Sequence, residues 1–329
     1  MNGSPTPPPV SLAPDFKDRR TGLIVFGILE MVLGALAALM IPLMILGQVM
    51  AAQNNQEPMA VRQLTPALVS YLVISAALIT VGIGSCKTRR WARALSLVLA
   101  WSWLAIGVIS MVMMAFFMPS ILKNSQPPGQ QVPEAALLIG LIVGMVFMGI
   151  LFIVVPGVLV LFYRSPHVKA TCKARNPSPS WTDACPLPVL GMSLWLGLGA
   201  VCTLAMPLST HGVLPAFGKV LSGLGGSLCC VALALLWGYC AWAVYRLRSA
   251  GWWIVLISLC IVSVSAWITF SHIDLPELYR VMGYSDRQID TMKQFSFMQG
   301  NRMAYWSVAG VVPMLGFLLF VKRYFRSPA

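Results

Sequence analysis

The chain has 329 residues, 58% hydrophobic and 10% charged, with 23 Lys and Arg against 10 Asp and Glu for a net charge of +13. Ordinary soluble domains carry about 25% charged residues, so the composition argues against a water-soluble globule and leaves lipid as the solvent. The positive balance does not point to nucleic acid, because the basic residues are spread over short segments and no basic domain collects them.

Residues 1–21 read as a Pro-rich cytoplasmic tail with Pro5 and Pro7 to Pro9. No cleavable signal is expected, since the apolar run that follows is too long for one and continues past Pro42. An apolar stretch of about 20 residues crosses the hydrocarbon as a helix. Eight stretches qualify: 22–47, 66–85, 94–117, 135–162, 187–208, 219–244, 252–271 and 304–321.

The first span holds Glu30, nine residues past Thr21, which is about 13 Å along a helix and near mid-membrane. An ionisable side chain at that depth is a proton or cation site by default, facing the bundle interior. The alternative is a protonated Glu hydrogen-bonded to a Ser, a Tyr or a backbone carbonyl. Tyr71 and Ser75, one turn apart on the second span, are its expected partners if the second helix packs on the first.

Ser96, Trp103 and Ser110 share a face of the third span, and Gly140 and Gly144 give the fourth a G-x3-G contact for close helix packing. Pro156 lies further along that helix. Residues 168–186 read as a cytoplasmic linker between two membrane modules, 22–167 and 187–329. His167, Cys172 and Cys185 lie beside or in it, at a spacing that matches no standard zinc pattern, so no metal is expected. Gly223, Gly225 and Gly226 sit within the sixth span without the Lys and Ser/Thr of a phosphate loop.

Ser258, Ser265 and Thr269 run along one face of the seventh span, either lining a polar path or packing helices. The 272–302 loop reads as an outer helical hairpin. Asp274 caps a first helix that ends at Gly283; Ser285 and Gln288 form a capping box for a second, with Ile289, Met292 and Phe295 on one face. It is the expected lid over the outer face or the surface for a protein partner. Trp91, Trp252 and Trp253 follow basic turns, where interfacial rings belong.

Two parts of the chain share a pattern. Leu33, Gly34, Ala35, Leu39, Pro42 and Leu43 return as Leu198, Gly199, Ala200, Leu204, Pro207 and Leu208. Val154-Val155-Pro156 returns as Val311-Val312-Pro313, and two aromatics before Arg164-Ser165-Pro166 return before Arg326-Ser327-Pro328. Self-similarity at a long period is a fold-level signal. The expected fold is an all-α integral membrane protein of eight transmembrane helices, arranged as two parallel four-helix repeats.

Alternating spans place 16 Lys and Arg with three acids on the side of both termini, and seven basic residues with six acids on the other. Both termini are therefore expected in the cytoplasm, with the basic turns against anionic headgroups of the cell membrane. None of the eight Cys falls in an outside loop, so no disulfide framework is expected. No catalytic motif and no cofactor signature occurs. The expected function is a non-enzymatic scaffold or assembly partner, the alternative a small-solute or ion transporter with its site between the repeats and Glu30 as coupling carboxylate.

Overall fold

Glycine sets a close helix crossing. A β-carbon on Gly27 would meet the Gly82 carbonyl, and one on Gly82 would meet that of Gly27, so two backbones approach as only small residues allow. The helices concerned are α1 (Arg20–Gln53) and α2 (Val61–Cys86) of a computed structural model that describes residues 16–53, 61–124, 134–293 and 302–325. The buried face of α1 is Leu23, Gly27, Glu30 and Gly34, a stripe of alternating four- and three-residue steps.

A tight turn joins α2 to α3 (Arg90–Asn124). Thr88 takes a left-handed φ of 52°, its N–H donates to the Ser85 carbonyl, and the Arg89 N–H donates to that of Gly84, which together make a Schellman cap. The same cap joins α8 (Gly223–Tyr245) to α9 (Ser249–His272): Leu247 has φ 56°, and the Leu247 and Arg248 N–H groups donate to Val244 and Ala243.

The fourth expected span is helical but not uniform. It runs as α4 (Glu134–Gly149), a π turn at Ile150–Val154, and α5 (Val155–Arg164). Pro156 has no N–H for the Phe152 carbonyl, and the Val155 N–H reaches back five residues to Ile150. The freed carbonyl faces Gly107 of α3, where a β-carbon would collide with it.

The expected linker is structured. Residues Pro166–Arg175 form α6, whose Val168, Thr171 and Cys172 are buried, and Trp181–Asp183 form a single 3-10 turn closed by a Ser180–Asp183 capping box. This segment ties elements together: the Arg19 N–H donates to Thr171 Oγ1 (3.0 Å), Arg175 pairs with Asp18 (2.7 Å), and Arg90 pairs with Asp183 (3.0 Å). Tyr245, at the end of α8, donates to the Trp181 carbonyl (2.8 Å).

After α7 (Leu187–Thr210) the sixth expected span needs correction. Helix α8 begins at Gly223, because the residues before it form a hairpin of β1 (Leu214–Ala216) and β2 (Lys219–Leu221). Ala216 pairs with Lys219 across a two-residue turn in which Phe217 and Gly218 both have positive φ, 49° and 75°. That is the turn whose twist suits a two-residue hairpin.

Beyond α9, the 272–302 segment contains α10 (Leu275–Val281) and α11 (Asp286–Lys293). Asp274 makes no side-chain cap, but Gly283 turns at φ 86° and the Ser285–Gln288 box forms through both of its hydrogen bonds (3.1 and 3.3 Å). Ile289 and Leu278 are buried, and Gln63 of α2 donates to the Gly283 carbonyl (3.3 Å). Phe295 and the side chain of Met292 lie outside the described residues, as do residues 1–15 of the Pro-rich tail and the closing Arg326-Ser327-Pro328.

The eighth expected segment lies within the helix α12 (Arg302–Lys322). Among the described residues seven helical spans, one of them running from α4 into α5, are long and apolar enough to cross a membrane, the first from Arg20 to Gln53 and the last from Ser249 to His272. Their outward faces remain apolar: Leu161, Leu208 and Leu224 are each at least 75% exposed. Water does not tolerate apolar surface on that scale, and the chain is an all-α, multi-pass membrane protein. One core gathers Leu23, Leu97, Leu159 and Tyr163; another gathers Leu190, Val244, Trp252 and Val255. Trp252, expected at the interface, is thus buried, with its indole N–H on the Leu318 carbonyl (2.9 Å).

Candidate functional site

Glu30 is 3% exposed, on the same stripe of α1 as Gly27. The Gly27–Gly82 crossing brings α2 against that stripe, and one turn further along α2 stands Ser85. Its hydroxyl donates to Glu30 Oε2 (3.3 Å), while the Tyr163 hydroxyl donates to Ser85 Oγ (3.1 Å) and Ser96 Oγ lies 3.4 Å away. A serine has one proton and two lone pairs. With its proton on Glu30, Ser85 accepts from Tyr163 and keeps one lone pair on the side of Ser96.

Four helices thus meet at one hydroxyl: α1 through Glu30, α2 through Ser85, α3 through Ser96 and α5 through Tyr163. Ser85, Ser96 and Tyr163 are each at most 2% exposed. Such a knot is shielded from bulk solvent, and in a low-dielectric interior each of its bonds is stronger than in water while each lost partner costs more. Ser85 lies one residue before the end of α2 and Tyr163 one before the end of α5. The carboxyl therefore sits nearer the basic helix ends than its count along α1 implies, in keeping with side chains that lean toward a helix N-terminus.

The other expected residues fall elsewhere. Ser75 is buried, but ten residues before Ser85, about 15 Å along the helix; Tyr71, a turn further, is half-buried. The antiparallel register of α1 and α2 thus gives Glu30 a different partner from the two expected. Ser258 bonds back to the Val255 carbonyl of its own helix (3.0 Å). Ser265 and Thr269 do something else: their hydroxyls accept the N–H groups of Phe217 and Gly218 (3.0 and 3.2 Å). They clamp the tip of the β1–β2 hairpin onto α9.

His167 accepts the Lys17 N–H (3.4 Å), whereas Cys172 and Cys185 are buried in separate cores. No group of three or more His, Cys, Asp or Glu placed to hold a metal occurs among the described residues. Burial pushes both thiols up from an ordinary 9.0 to about 11, although Arg93 and Arg90 pull Cys172 partly back. These are inert thiols.

Among the described residues the second half has no such knot. Ser85 stands three residues before left-handed Thr88 and Ser96 eight after it; Val244 and Val255 stand at the same steps from left-handed Leu247. Both valines are buried in an apolar core. Trp195, 165 residues after Glu30 as Leu198 is after Leu33, reaches across instead and donates its indole N–H to Ser102 of α3 (2.7 Å).

No family model matches this chain. Nor does any curated protein or any solved structure.

Proposed function

We propose that this chain is a non-enzymatic scaffold or assembly partner of the cell membrane. It has eight spans in two parallel four-helix repeats, both termini in the cytoplasm, and a partner surface on the outer hairpin 272–302. The twin Schellman caps, the shared sequence words and the helix α12 support the repeat. The bias of Lys and Arg supports the orientation.

The observation that carries the functional reading is the setting of Glu30. A coupling carboxylate needs water and a route between the halves, and Glu30 has neither signature: it is 3% exposed, bonded to Ser85 inside the first half, and does not line the groove that separates the halves. Its role is to fasten α1 to α2, α3 and α5.

Proton flux tests this directly. In vesicles with an internal pH dye and an imposed potential, the wild-type protein and Glu30→Gln should both acidify at the rate of protein-free vesicles. A wild-type flux that Glu30→Gln abolishes would replace this reading with that of a proton-coupled transporter.

A further inference from the structure

A groove of about 920 Å³ opens between the two halves, walled by α3 on one side and by α7 and α12 on the other. Leu97, Trp101 and Ile106 line it from the first half, Gly191, Trp195 and Phe317 from the second. From Leu97 to Ile106 it follows nine residues of α3, about 13 Å, close to half of the roughly 30 Å hydrocarbon thickness. The groove is thus one leaflet deep.

Charge enters at one end only. Arg164, the last residue of α5, and Arg323, the first after α12, both line the groove, and both are exposed. Arg164 has no ion pair or side-chain hydrogen bond among the described residues. Arg323 lies over the ring of Phe320 (4.0 Å) and donates to the Tyr324 hydroxyl (2.8 Å), which holds its guanidinium at the mouth without neutralising it. A membrane fills any such groove with acyl chains. What distinguishes this one is a pair of guanidiniums at headgroup level, a geometry that suits the oxygens of a phosphate.

The geometry points to a binding site for one anionic phospholipid of the leaflet on the basic side, with acyl chain in the groove and phosphate between Arg164 and Arg323. The lipid fills the lipid-facing part of the junction between the halves, beside the Trp195–Ser102 bond. This site rests on the membrane placement of the chain and is independent of whether Glu30 moves protons.

The test is native mass spectrometry of detergent-purified protein offered phosphatidylglycerol and phosphatidylcholine with identical chains in equal amounts. The wild type should retain one phosphatidylglycerol about thirtyfold over phosphatidylcholine, since each of the two basic residues near an anionic headgroup contributes about 1 kcal/mol. Arg164→Gln with Arg323→Gln should erase the preference. Gly191→Phe, whose ring projects into the groove, should release both lipids with the charges intact. Arg89→Gln, on the exposed α2–α3 turn, should change nothing.

Equal retention of the two lipids by the wild type, or a preference that survives the double arginine variant, overturns the site. So does a dimer that dissociates on Gly191→Phe, which would make a second copy the occupant. A chain that stays dispersed without detergent would instead count against the membrane placement itself.

Discussion

Ser85 shows how much of the site a sequence conceals. Glu30 is conspicuous as the one acid or base deep in an apolar run, and the face it occupies is also written there, since Leu23, Gly27 and Gly34 repeat around it at helical spacing. Its partner is not. Ser85 is one of several hydroxyls on α2, and only the Gly27–Gly82 crossing decides that it, and not Ser75, reaches the carboxyl. Tyr163 carries even less signal, being one aromatic beside a basic turn until the fold brings it to Ser85 (3.1 Å). The buried thiols give a direct check. Iodoacetamide at pH 8 should leave Cys172 and Cys185 unmodified in the native protein and modify both after denaturation, as read by peptide mass mapping. Their raised values also set a sign: the folded state holds these protons more tightly, so the contribution to stability is complete below about 9 and lost as pH rises toward about 11. Thermal midpoints in detergent should fall across that interval; a flat profile would mean the thiols are less shielded than their burial implies.

Helices were legible where apolar length decides them and illegible where a local backbone event does. The Ser285–Gln288 box could be read because its residues and its hydrogen bonds are adjacent in the chain. The β1–β2 hairpin could not, because Val220 and Leu221 run into the apolar stretch that follows and only the positive φ at Phe217 and Gly218 turns the chain back. Ser265 and Thr269 then gain a purpose that no spacing reveals, as acceptors for that turn. The π turn before Pro156 is a similar case: proline announces a defect, but the neighbour that accommodates it, Gly107, lies on another helix. Gly107→Leu should therefore lower stability by about 1 to 3 kcal/mol, the usual cost of overpacking, whereas Gly140→Leu, with open space around it, should be close to neutral. Thermal unfolding of the two variants in detergent compares them. Equal losses would show that the freed Phe152 carbonyl does not need the gap.

The arrangement of the chain across the bilayer has its own test. A cysteine in place of Asp286, whose pairing with Arg280 is exposed on both sides and so contributes little, should react with an impermeant maleimide in intact cells, and Cys86 should not. The reverse pattern would invert the topology. The two turns closed by Schellman caps, α2–α3 and α8–α9, also differ in a way that bears on helix pairing. Apolar helices in one bilayer can pair in more than one way, for example α1 with α8 in place of α2. In such a mispairing Glu30 would face Val244 in place of Ser85 and Val255 in place of Ser96. A carboxyl buried without hydrogen-bond partners costs several kcal/mol, while the correct pairing carries no such cost. The hydrogen bonds of Glu30 thus discriminate between partners: they reward α2, which carries Ser85, over α8, which offers Val244 at that step.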